Sequence, residues 1–146
     1  MLIPTISFQG NCDEAINYYK ETLDAKAENI AYLKDSPKEF LESPELLEAM
    51  GGNLPPNFVT YSEVTISDTL LCMTDGGEKP ITGDFFSMML AFDSADEVTA
   101  TFEKLSKDGK VVQPLAKQFW ADLCGDVVDK FGINWHICTE SCSASE

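Results

Sequence analysis

His136 is the only histidine of the chain. It closes a stretch, Phe119 to Ile137 (FWADLCGDVVDKFGINWHI), that also holds both tryptophans, Trp120 and Trp135. An imidazole has an ordinary pKa near 6.5, so His136 is a candidate proton shuttle or metal ligand. The residues around it in sequence do not name a fixed acid partner, which general acid–base work needs in place before pKa matters. Trp120 precedes Asp122 by two residues, so a regular strand would set an aromatic face beside a carboxylate. That pair suits a cationic ligand through cation–π contact and charge pairing. Tyr61 and Glu63 are likewise two apart and would share one strand face. With His136 they form an imaginable oxygen–nitrogen set around a divalent ion. Phe8, Phe119 and Met89 are further candidate walls, because aromatic and apolar side chains on a concave sheet fit a flat or hydrophobic ligand.

The cysteines, Cys12, Cys72, Cys124, Cys138 and Cys142, are odd in number and form no CxxC pair. With no leader-like segment ahead of them, this pattern predicts a reducing cytoplasm. Cys72 and Cys138 have no base or cation beside them in sequence and read as small buried hydrophobes.

Bulk composition narrows the partners. Ten lysines and no arginine stand against twenty-five acids, a formal net charge of -15. Nucleic acid needs clustered cations and is excluded as an expected partner. Phosphorylated and polycarboxylate substrates are disfavoured without the bidentate arginine fork. Cations and neutral apolar molecules fit the field better. No apolar run approaches the roughly 20 residues of a membrane span.

The elements that must position these residues repeat. Leu2 to Phe8 predicts a strand, with Pro4 either confining its pairing to the residues after it or placing it at an edge. Asn11-Cys12-Asp13-Glu14 predicts a capped helix start, with Ala15, Ile16, Tyr19 and Leu23 on the buried stripe. Further strands are expected at 28–33, 58–66 and 69–74, the last two joined at Ser67-Asp68. Between them, 34–57 is an insert of two short helical turns ending at Gly51-Gly52, in the place where a lid or a surface excursion would sit.

After a connector at 76–83 the order restarts. A strand at 85–92 leads to the capping box Ser94-Ala95-Asp96-Glu97 and to a helix whose stripe is Val98, Phe102 and Leu105. Strands at 111–115, 120–128 and 133–139 complete the set. Asp13-Glu14-Ala15 and Asp96-Glu97-Val98 occupy equivalent places about 83 residues apart, the mark of a duplicated unit. The expected fold is α+β: two tandem βαβββ modules, 1–75 and 84–140, forming a cupped mixed sheet with helices outside. Residues 141–146 read as a flexible tail.

Several pieces then resemble the PhnB-like branch of the vicinal-oxygen-chelate superfamily, which includes glyoxalase I, bleomycin-resistance proteins and extradiol dioxygenases. They are Phe8-Gln9-Gly10-Asn11 running into Asp13-Glu14-Ala15 and Tyr18-Tyr19, then Asp75, then Phe119-Trp120-Ala121-Asp122 with Gly125, and finally Asp129-Lys130-Phe131-Gly132-Ile133-Asn134-Trp135. Ala121 departs from the branch, which has glycine there. The branch also carries a demethylubiquinone-methyltransferase label, but no Gly-rich strand-to-helix turn with an acid beyond it is present to cradle a nucleotide-like cofactor.

The resemblance implies metal ligands near Pro4, Cys72, Ser87 and His136, and only His136 is a usual donor. It also implies a homodimer, which would bury sheet edges. Three readings are open: a binding protein holding a small apolar or cationic molecule in the cup without the standard metal or other cofactor; a metal-dependent lyase, isomerase or dioxygenase using His136 with atypical ligands such as Tyr61 and Glu63; and an interaction module. If Trp135 packs under a helix, the alternation of β-residues turns His136 to the open side.

Overall fold

Apolar alternation and helix caps recur in the same order in both halves, and both halves fold the same way. The computed structural model describes residues 1–52, 55–76 and 83–140. The chain divides into two compact units, 1–80 and 81–146.

In the first unit β1 (Thr5–Phe8), α1 (Cys12–Leu23) and β2 (Lys26–Tyr32) precede β3 (Val59–Ile66) and β4 (Thr69–Asp75). The sheet order is β1-β4-β3-β2, with β1 parallel to β4 and the other pairs antiparallel. Pro4 stands just outside β1, which is an edge strand, as a residue without an N–H requires. The hairpin at Ser67 and Asp68 turns with both residues at positive φ, the mirror-image turn that matches strand twist. The insert supplies a 3₁₀ turn (Leu33–Asp35), α2 (Lys38–Leu41) and α3 (Pro44–Ala49), the last capped by Ser43.

In the second unit β5 (Met88–Phe92), α4 (Ala95–Ser106), β6 (Lys110–Ala116), β7 (Cys124–Val128) and β8 (Asn134–Thr139) give the order β5-β8-β7-β6. Each unit is therefore a βαβββ module with its own four-stranded mixed sheet, as the repeat predicts. The connector at 77–82 and the tail at 141–146 lie outside the described residues. No described helix is long and apolar enough to cross a membrane.

The helices start by different means. Ser94 caps α4 as expected, accepting a hydrogen bond from the Glu97 N–H; the Glu97 carboxylate accepts in return from the Ser94 hydroxyl, where a full capping box would use the Ser94 N–H. The box expected at Asn11 does not form; the Asn11 side chain accepts from Gln9 instead. Buried Asp75 takes its place from the end of β4. Its Oδ1 accepts from the Gly10 and Cys12 N–H groups at 2.8 and 2.9 Å, and its Oδ2 from Val59 at 3.0 Å. One carboxylate thus ties the β1–α1 turn to two strands.

Each sheet buries one face. In the second unit Trp135, Ile137, Val127 and Leu90 are buried, and α4 packs on β7 and β8. Gly125 permits that approach, because a Cβ there would lie 2.8 Å from the Phe102 ring and 2.9 Å from the Gln113 carbonyl oxygen. Asp129 closes the β7–β8 turn, accepting from Phe131 and Ile133 N–H and from the Trp135 indole N–H.

Candidate functional site

Strand parity decides what stands on the other face of the second sheet. Residues paired across a ladder project to the same side. Asp126 is paired with His136, Cys124 with Cys138, and Met89 with His136. Trp135 is buried on the opposite, helix-facing side, so His136 does face away from α4.

The His136 side chain is 22% exposed, and its Nδ1 is hydrogen-bonded to Asp126 Oδ1. A carboxylate accepts, so Nδ1 carries a proton and Nε2 is the ring atom left to act. Nε2 lies 3.4 Å from Cys124 Sγ. Cys124 and Cys138 are both buried and joined as a disulfide between directly opposed strand residues, with Cα atoms 4.2 Å apart. Such close approach belongs to the narrow, non-hydrogen-bonded pairs of an antiparallel ladder. Trp120 lies tilted against the imidazole, its ring centroid 5.6 Å from that of His136 and the planes 32° apart. A cleft of 280 Å³ opens beside them, with Asp84, Ser87, Val112, Asp126, Asn134 and His136 among its lining.

The first unit places its candidates differently. Tyr61 is 42% exposed and donates to Glu63 at 3.0 Å; the Asn29 amide donates to the other Glu63 oxygen at 2.9 Å. The hydrogen bond to Glu63 raises the Tyr61 phenol above its ordinary value. Phe8 is 5% exposed and belongs to the core of its unit. Burial, with Asp75 and Asp13 nearby, pushes the Cys12 thiol up to about 12.

Against the sequence reading, the structure brings Trp120 and Met89 to His136, and Tyr61 to Glu63. The two groups belong to different units. Three expectations need correction. First, Trp120 and Asp122 do not alternate on a strand, because β7 begins only at Cys124; Asp122 is exposed in the bend before it. Second, His136 has a fixed acid partner, Asp126. Third, Cys138 is buried as expected but is bonded to Cys124, so the absence of a CxxC motif did not mean unpaired sulfurs. Both missed partners could have been found by counting outward from the Asp129–Gly132 turn. The register that sets Val128 against Asn134 sets 126 against 136 and 124 against 138.

The ligand quartet implied by the superfamily does not fit. Pro4 offers no side-chain donor, and the register partners of Cys72 and His136 are Thr5 and Met89. The usable sulfur and imidazole donors instead lie together in the second unit.

Tandem βαβββ modules with an open sheet face define a glyoxalase/bleomycin-resistance-type protein of the vicinal-oxygen-chelate superfamily. Within it, the chain belongs to the PhnB-like family described as 3-demethylubiquinone-9 3-methyltransferase, which matches residues 1–138. It is 32% identical to protein YjdN of Escherichia coli (strain K12) over 139 residues, covering 93% of this chain and 92% of that one. Among solved structures it resembles protein PA1353 from Pseudomonas aeruginosa, with a TM-score of 0.77 and 25% identity over 96% of this chain and 97% of that one. A PhnB protein from Bacillus cereus shares the fold, with a TM-score of 0.75 and 18% identity over 94% and 98% of the two chains.

Proposed function

We propose that this PhnB-like protein binds a small organic cation on the open face of its second sheet, beside His136. The observation that carries the reading is the cleft itself: Asp84 and Asp126 line the same 280 Å³ space as His136, and Trp120 stands against that imidazole. Carboxylates supply the charge, and the Trp120 ring, 37% exposed, supplies a quadrupole face. The cleft's modest volume suits a compact ammonium with one apolar substituent rather than an extended substrate. The net charge of -15 likewise favours a cation at encounter. His136, oriented by Asp126, lines the cleft and would set the ligand's position by ring contact. Met89, 62% exposed on the neighbouring strand, adds an adaptable apolar wall.

Calorimetric titration with benzyltrimethylammonium, its uncharged carbon isostere and benzoate tests this. Saturable binding of the cation, weaker binding of the isostere and none of benzoate is the expected order. Equal or stronger binding of benzoate, or no binding of any of the three, contradicts it.

The protein is further proposed to be a homodimer. Phe85, Phe86 and Phe119 are among the large apolar side chains standing exposed in the second unit, and exposed apolar surface on this scale suits a partner copy. A light-scattering mass about twice 16.1 kDa is expected; the monomer mass at micromolar concentration would refute it.

A further inference from the structure

We infer that reduction of the Cys124–Cys138 bond converts the buried end of this face into a site for a single soft divalent ion, held by Cys124 Sγ, Cys138 Sγ and His136 Nε2. The three donor atoms already lie within 4.8 Å of one another. A tetrahedral zinc ion, about 2.3 Å from sulfur and about 2.0–2.1 Å from nitrogen, sets sulfur and nitrogen about 3.6 Å apart. Nε2 and Cys124 Sγ stand at 3.4 Å, so that edge of the tetrahedron is preformed. The two sulfurs need only part to about 3.8 Å, which side-chain rotation from opposed strand positions supplies.

The orientation of His136 points the same way. Asp126 accepts a hydrogen bond from Nδ1–H, which leaves the Nε2 lone pair toward Cys124. A disulfide sulfur has no proton to offer that lone pair, so the oxidised state leaves it poorly used. A metal ion satisfies it fully. A carboxylate behind the imidazole is the arrangement that fixes ring and tautomer in histidine-ligated metal sites. Two thiolates and one imidazole are a soft donor set, favouring zinc over magnesium or calcium. They leave a fourth coordination position for water or a further donor.

The chemistry balances with a dithiol as reductant. It supplies two electrons and two protons; the Cys124–Cys138 bond breaks, both sulfurs become thiols, and the reductant is left as a disulfide. A divalent ion then displaces the two thiol protons to solvent and binds both thiolates. Exchange with an added disulfide reverses the sequence: the two thiolates form the Cys124–Cys138 bond, the added disulfide takes the two electrons and, with two protons from solvent, becomes two thiols, and the ion is released.

The metal site shares His136 with the proposed cation cleft but does not depend on that reading, since each is tested with its own probe. Protein reduced anaerobically by a dithiol, then freed of it, is titrated with cobalt(II). The expected result is one equivalent bound, with sulfur-to-cobalt charge-transfer absorption in the near ultraviolet and tetrahedral d–d bands. Zinc should displace it, and the oxidised protein should show neither signature. Cys124→Ser/Cys138→Ser should lose the charge-transfer band. His136→Gln, at a partly exposed position where folding is less at risk, should alter the d–d bands. Asp126→Asn should weaken binding roughly 10–100-fold. Absence of the charge-transfer band in reduced protein, or its survival in the double serine variant, overturns the inference. So do unchanged spectra in His136→Gln.

Discussion

The two modules carry the same register position to different ends. In the first, Thr5, Cys72 and Glu63 are paired across β1, β4 and β3; in the second, Met89, His136 and Asp126 are paired across β5, β8 and β7. An acid on the third strand is common to both. Glu63 is held by two neutral donors, Tyr61 and Asn29, on an exposed face. Asp126 is held by an imidazole whose other nitrogen faces two buried sulfurs. One fold therefore offers the same lattice of positions twice, and the chemistry depends on which residue stands opposite the acid. The first module holds its carboxylate between two neutral donors; the second pairs it with an imidazole.

The largest expected effect separates how the two modules are held together. Asp75→Ala removes the acceptor for three backbone N–H groups, at about 1–3 kcal/mol each. Urea unfolding should show a loss of at least about 3 kcal/mol. Thr139 takes the equivalent place in the second module, where its hydroxyl accepts from the Leu123 N–H at 3.2 Å, the one such bond among the described residues. Thr139→Val should cost about 1 kcal/mol. Equal losses would mean that the modules are anchored alike.

Next in size is the disulfide, which the first module lacks among its described residues. It closes a loop with a sequence separation of 14. Chain-entropy arguments give about 3 kcal/mol for such a loop, so metal-free reduced protein should unfold at correspondingly lower urea. An unchanged midpoint would show that the hairpin is set by packing and the Asp129 turn alone.

The acids should then divide by function. Asp126→Asn should weaken benzyltrimethylammonium binding about tenfold, equivalent to roughly 1.4 kcal/mol, while Glu63→Gln leaves it unchanged. A larger effect at Glu63 would move the site to the first module. The smallest effect concerns Tyr61, whose phenol ionises above its ordinary value because it donates to Glu63. Ultraviolet titration, assigned with Tyr61→Phe, should show that ionisation moving to lower pH in Glu63→Gln. No movement would show that the two groups do not interact in solution.

These contrasts also show what could be read from the chain. The duplicated βαβββ order was legible because caps, stripes and turn residues act locally: Ser94 caps the helix it precedes. Asp75 was not legible as a cap, since its N–H partners at Gly10 and Cys12 lie 65 and 63 residues away. His136 could be placed on the open face from the period of two once Trp135 is taken to pack under a helix. Its partners needed the register of a hairpin, and extending a strand back to Trp120 hid where that register begins. The tryptophan reaches His136 from a bend, a placement that periodicity does not encode.

The central claim is that the open face of the second sheet, around His136, is where this protein meets its ligand. The chain has a single histidine, so the ring resonances of isotope-labelled imidazole report on that place alone. Titrated with benzyltrimethylammonium, the His136 ring signals should shift and saturate, with Trp120→Ala weakening the response. Ring signals that stay fixed while calorimetry shows the cation binding would place the site elsewhere and contradict the claim.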